Sequence, residues 1–175
     1  MSNITIRPAR EDEVPLVLQF VRELAEYEHL LHEAVASEER VRRDLFGPRP
    51  YAEVVFACLD DEPVGFALFF HNYSTFVGKP GIYLEDLFVR PGVRGKGLGK
   101  ALLTWLAAEA VRRDCGRLEW SVLDWNEPSI RFYKSLGAKP MDEWTIFRLT
   151  GDALTALAQG SPQSTEGFFT PQAIA

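Results

Sequence analysis

The sequence predicts a mixed α/β fold in one domain, with five or more strands interleaved with four helices. Three observations predict it. Along the chain the apolar period alternates between that of a strand and that of a helix. A glycine-rich turn links a strand to an amphipathic helix across residues 89–100. Finally, 175 residues with 46% hydrophobic content are enough to bury one core.

The elements follow in order. Ile4-Thr5-Ile6 alternates as a short strand, and the acidic run Glu11-Asp12-Glu13 marks the start of a helix expected from about Asp12 to Glu28. Its apolar stripe is Val14, Val17, Val21 and Leu24, and Pro15 is tolerable because it lies in the first turn. A short second helix begins at the N-cap Ser37, carries Val41 and Leu45 one turn apart, and closes at Gly47. Val54 to Ala57 and Val64 to Phe70 read as a hairpin around Leu59-Asp60-Asp61-Glu62-Pro63. A strand from Ile82 to Val89 precedes the glycine-rich turn. The helix from about Gly99 to Arg113 buries a broad face built from Leu102, Leu106 and Ala110 beside Leu103, Ala107 and Val111. A strand over Leu118 to Leu123, a helix opened by Asn126 and Pro128 and closed by Gly137, and a strand around Trp144 to Leu149 complete the domain, residues 1–159. Residues 160–175 read as a flexible C-terminal tail, because Gly-Ser-Pro-Gln-Ser-Thr-Glu-Gly buries too little surface to offset its ordering entropy.

Composition narrows the function. A formal net charge of −6, with basic residues scattered, argues against nucleic acid and favours a cationic ligand. No run reaches the roughly 18 apolar residues of a membrane span, and the N-terminus lacks a basic-then-apolar leader, so a cytoplasmic protein with no membrane contact is expected. Cys58 and Cys115 each sit in apolar segments without metal-ligand spacing, and His29, His32 and His71 are assigned to the surface or to pocket edges, so no metal is expected.

Val89 to Lys100 carries the chemistry. Glycines there let backbone approach a ligand, and the free N–H groups at a helix start suit a phosphate or pyrophosphate. The alternative is a surface turn with solvated basic residues. Neither the P-loop nor the dinucleotide pattern fits, since Gly99-Lys100 precedes Ala101 and Lys100 stands where the third dinucleotide glycine belongs.

Arg94-Gly95-Lys96-Gly97-Leu98-Gly99 resembles the Arg/Gln-x-x-Gly-x-Gly pyrophosphate loop of the GCN5-related N-acetyltransferase (GNAT) superfamily. Tyr83 to Val89 and Trp125 to Lys134 are similar to flanking blocks of the diamine acetyltransferase family. Tyr73-Ser74-Thr75-Phe76 and Val122 to Asn126 look closer to its thialysine branch. The similarity runs from about Ile4 to Leu149. It implies a GNAT fold: a mixed, mostly antiparallel sheet of six or seven strands with four helices on its two faces, splayed open between the Glu85 strand and the Leu118 strand to hold acetyl-CoA. It also implies a homodimer.

The resemblance implies roles as well. Leu87, Phe88 and Val89 would present backbone groups to the acetyl and pantetheine portion of acetyl-CoA. Arg94, Gly95, Lys96, Gly97, Leu98, Gly99 and Lys100 would hold the pyrophosphate. Asn126 and Ser129 would line the cofactor farther on, although Asn126 equally suits a helix N-cap. Tyr133 would protonate the departing thiolate, where Phe132-Tyr133 alone would read as packing. Glu85 would deprotonate the ammonium or bind it; strand alternation turns Asp86 to the opposite face. Tyr27 and Glu28 would contact the amine's carbon chain and distal charge, or else form an exposed helix end. Phe76 would wall the acceptor site, and Ser74 stands where the polyamine branch has aspartate. The expected reaction is direct acetyl transfer to a primary amine of a small diamine or lysine/thialysine-like molecule. The alternatives are a protein amine or an aminoglycoside as acceptor, or an acyl-CoA sensor without turnover.

Overall fold

A computed structural model describes residues 3–160; all but Gly160 of the expected tail lies outside the described residues. The chain divides into two compact units, Met1–Asn126 and Glu127–Ala175.

The first unit is built on one five-stranded sheet in sequential order: β1 (Ile4–Pro8), β2 (Glu53–Leu59), β3 (Glu62–Ser74), β4 (Lys79–Val89) and β5 (Leu118–Trp120). The first four pair antiparallel, and β5 runs parallel to β4. The β2–β3 reversal is tight because Asp60 and Asp61 both take positive φ, 50° and 67°, the backbone that matches strand twist in a two-residue hairpin. Helix α1 (Val14–Tyr27) covers one face, where Phe20 stacks on Phe66 at 5.5 Å and tilts against Phe56 and Phe88. All four rings are buried, and each contributes about 2–3 kcal/mol of burial free energy. Helix α2 (Glu38–Phe46) begins at Ser37, whose hydroxyl accepts the Arg40 N–H, and sets Val41 and Leu45 against this cluster. Helix α3 (Leu98–Arg112) covers the other face through Leu98, Leu102 and Leu106, with Trp105 edge-on to Phe69. Arg90 ties the end of β4 to α1: its guanidinium donates to both Glu23 oxygens at 3.0 Å and lies 4.7 Å from the Phe20 ring centre.

The second unit holds α4 (Glu127–Ser135) and α5 (Gly151–Gln159). Gly137, at φ 88°, ends α4 as expected: its N–H bonds the Lys134 carbonyl and that of Ala138 bonds the Tyr133 carbonyl.

Two expectations about strands are corrected. Residues 144–149 form no strand, so the described sheet has five strands rather than six or seven. The alternation Trp144-Thr145-Ile146 suits a pleated edge, but among the described residues no strand of its own unit is there to pair with it. β5 stops at Trp120 instead of Leu123. Helix α5 was not expected; its sequence signals are Thr150 at the N-cap, Asp152 in the first turn, the Leu154–Leu157 spacing and Gly160 at its end.

Candidate active site

Pairing of β4 with β5 covers Ile82↔Leu118, Tyr83↔Glu119 and Leu84↔Trp120, and ends there, while β4 runs on to Val89. The edge of β4 beyond Leu84 is therefore open among the described residues, at the splay the resemblance implied. On the other side β4 stays paired with β3, but with a bulge: Leu68 faces Asp86 and Phe69 faces Leu84, so Glu85 is the extra residue.

The bulge decides which peptide groups face the opening. The Arg90 N–H donates to the Val64 carbonyl at 3.0 Å, so antiparallel alternation turns the Phe88 peptide groups towards β3 and those of Leu87 and Val89 away from it. The Val89 carbonyl accepts the Arg94 Nε–H at 2.8 Å, consistent with that direction. Of the three residues expected to offer backbone to the cofactor, Leu87 and Val89 turn their peptide groups away from β3, whereas Phe88 turns its own towards β3 and its ring into the core.

The bulge falls at the carboxylate pair. A bulge breaks alternation, so Glu85 and Asp86 need not occupy opposite faces. Glu85 is exposed; Asp86 is half-buried, and its carboxyl is pushed up to about 7, first by burial and then by the negative charges of Glu85 and Glu28. Glu28, at the C-terminal end of α1, is itself raised by burial. Three carboxylates thus share one acidic site. Asp86 is the residue that sequence reasoning passed over. Its signal was present in the Glu85-Asp86 pair, but the bulge between them and β3 was not.

Tyr27, the last residue of α1, lies between two partners: the Arg94 guanidinium 4.4 Å from its ring centre, and Trp125 at 6.1 Å. His29 also meets Trp125 at 6.1 Å. Tyr27 and Glu28 therefore end the helix beside Asp86 and the Arg94 side chain, rather than at a bare surface.

Residues 90–97 form a turn, with Pro91–Val93 in a single 3-10 turn, and deliver the chain into α3. Gly95 and Gly97 take φ of 79° and 91°, a backbone that favours glycine, and a Cβ built at either meets no atom within 4 Å. Gly97 caps α3, whose first-turn N–H groups face the same space, with exposed Arg94, Lys96 and Lys100 around it. Open room, free N–H donors and three cations fit a pyrophosphate. The Leu98 side chain is 1% exposed and anchors α3 in the core, which leaves only its backbone for a ligand.

The remaining expected residues lie on other elements. Ser74 is buried at the end of β3, and its Oγ accepts the Val77 N–H at 3.3 Å to close the hairpin turn. Phe76 projects from that turn, 96% exposed. Ser74 pairs with Lys79, six residues before Glu85, or roughly 20 Å along β4; the structure does not bring Ser74 or Phe76 to the carboxylates of its own chain. Asn126 is buried at the end of the first unit, its N–H bonded to the Leu123 carbonyl. Ser129 and Tyr133 lie on α4, with the Tyr133 ring 5.5 Å from Phe132.

Comparison with known proteins identifies the family. The sequence profile of the Acetyltransferase (GNAT) family matches residues 18–138. The thialysine N-epsilon-acetyltransferase of Sus scrofa is 37% identical over 169 residues, covering 90% of this chain and 99% of that protein. The L-ornithine N5-acetyltransferase NATA1 of Arabidopsis thaliana is 34% identical, covering 87% of this chain and 86% of its own length. Among solved structures, an integron cassette protein from the mobile metagenome of V. cholerae superposes with a TM-score of 0.76 at 29% identity, over 89% of this chain and 98% of its own. On the family match and these near-full-length relatives, the chain belongs to the acetyltransferase (GNAT) family and is an N-acetyltransferase.

Proposed function

We propose that the chain transfers an acetyl group from acetyl-CoA directly to a primary amine of a small diamine or a lysine- or thialysine-like amino acid. The observation that carries this reading is the convergence of Glu28, Glu85 and Asp86 beside the open edge of β4. Such a site attracts an ammonium group, and one carboxyl in it titrates near neutrality. The names of the thialysine and ornithine acetyltransferases support a small amino-acid amine as acceptor.

Bound acetyl-CoA supplies an activated acyl thioester. The residues that would hold it are the loop from Arg94 to Lys100 at the pyrophosphate and the Leu87 and Val89 peptide groups at the acetyl end. The Val89 N–H is a preorganised donor for charge growing on the acyl oxygen; one such donor is worth about 10²–10³ in rate. Glu28 and Glu85 hold the ammonium, and Asp86 accepts its proton, which frees the nitrogen lone pair. Glu85, favoured for that step on sequence grounds, is exposed and serves the binding charge instead. Tyr133 carries the phenol that family resemblance assigns to protonating the departing sulfur. No covalent acyl-enzyme is needed in this scheme, and Cys58 is 1% exposed within the core.

A CoA-release assay with acetyl-CoA and a panel of thialysine, lysine, ornithine, short diamines, spermine, an aminoglycoside and a peptide N-terminus tests the proposal. Turnover at least about tenfold more efficient on the small cationic amines than on the last two is expected. Preference for the aminoglycoside or peptide, or CoA binding without turnover on any amine, would sink it.

A further inference from the structure

We infer that Tyr27, a wall of the amine site, is a positioning residue for the cofactor: it holds Arg94 in the orientation that a pyrophosphate needs, and so couples the two sites. The inference rests on the cofactor reading above. A guanidinium is planar, with two faces for stacking and an edge of N–H donors. In Arg94 the Nε–H is spent on the Val89 carbonyl at 2.8 Å, and the guanidinium lies 4.4 Å from the Tyr27 ring centre and 5.6 Å from that of Phe88. The two terminal nitrogens have no partner among the described residues.

Arg94 therefore has its face and one donor fixed by protein, with its remaining donors free of partners among the described residues, in the loop that also carries Gly95 and Gly97. Its residue is exposed overall, so without the stack its long side chain would sample many rotamers, and anion binding would have to overcome that freedom. Tyr27 is in turn braced by Trp125, 6.1 Å away on another segment. The chain Trp125, Tyr27, Arg94 and the Val89 carbonyl thus runs from the amine wall to the cofactor loop without a gap. A ligand that fixes Arg94 also fixes the face of Tyr27 that is offered to the amine. Linkage then requires that each ligand tighten the other by the same factor.

Calorimetric titration of CoA into the wild-type protein and Tyr27 variants tests this. Tyr27→Phe keeps the aromatic face and is expected within about twofold of wild type, whereas Tyr27→Leu is expected to weaken CoA binding about threefold to tenfold, with the melting curve recording whether the fold is intact. In an Arg94→Gln background, which the Arg/Gln loop pattern tolerates, Tyr27→Leu is expected to have no further effect. Wild-type affinity in Tyr27→Leu, or an equal loss in both backgrounds, would overturn the inference. A second measurement needs no variant: thialysine affinity of the wild-type protein is expected to rise threefold to tenfold when CoA is present, and an unchanged affinity overturns the coupling. Failure of the wild-type protein to bind CoA at all would instead overturn the cofactor reading on which the inference stands.

Discussion

At the scale of single residues, Asp86 links stability to the proposed chemistry. Its carboxyl holds a proton up to about 7 in the folded chain, against an ordinary value of 3.8. Between those limits the folded state binds more protons than the unfolded state, so this group's contribution falls as pH rises and reaches its least favourable level above about pH 7. Asp86→Asn removes the charge while keeping the shape, so the variant is expected to be more stable than wild type at pH 8, by roughly 2 kcal/mol, and near parity at pH 4. Thermal melts at the two values check this; a destabilised variant at pH 8 would contradict it. The gain should come with loss of activity, as strained functional groups commonly show. The Glu85-Asp86 pair was legible in the sequence as a source of acidic side chains. Which of the two is buried was not, because that depends on a bulge set by the register of β3, a long-range property with no local marker.

At the scale of elements, the end of α1 and the start of α3 frame the site, and both depend on left-handed backbone. Helix α1 ends with the Leu30 N–H bonded to the Ala25 carbonyl and the His29 N–H to the Glu26 carbonyl, the pattern in which glycine usually occupies the left-handed position. Here His29 does so at φ 62°. His29→Gly is expected to relieve about 0.5–1 kcal/mol of strain at the expense of the His29–Trp125 contact, which a raised melting temperature together with a changed amine KM would register. Gly97→Val places a β-branched side chain at φ 91° in the space facing the first turn of α3; it is expected to abolish CoA binding by calorimetry while the circular-dichroism spectrum is kept. Intact CoA affinity in a folded Gly97→Val protein would remove the loop from the cofactor site. The glycine loop was legible because its requirement is local. The strand expected at residues 144–149 was not, since alternation shows only that a segment fits a sheet edge and leaves its pairing partner undetermined.

At the scale of the whole molecule, one strand organises the proposed reaction. β4 enters from a hairpin turn that carries Ser74 and Phe76, pairs with β5 as far as Leu84, bulges at Glu85, and leaves Leu87 and Val89 open before Arg90 fastens its end to Glu23 of α1. Two of the three carboxylates proposed for the amine, Glu85 and Asp86, and the proposed backbone donors Leu87 and Val89 therefore lie along one element, which packs on the aromatic cluster around Phe20 through Phe88. The net charge of −6 adds a general bias towards the cationic acceptor proposed above, and in that proposal the choice among such acceptors belongs to the local carboxylates. The central claim is that Asp86 takes the proton from the acceptor amine. The measurement that tests it most directly is the pH dependence of kcat/KM for thialysine or a short diamine, compared between wild type and Asp86→Asn. The account predicts a wild-type profile that rises through about pH 7, and a variant about 10²- to 10⁴-fold slower that has lost this rise. A variant with near-wild-type turnover, or with the same rise through neutrality, would contradict it.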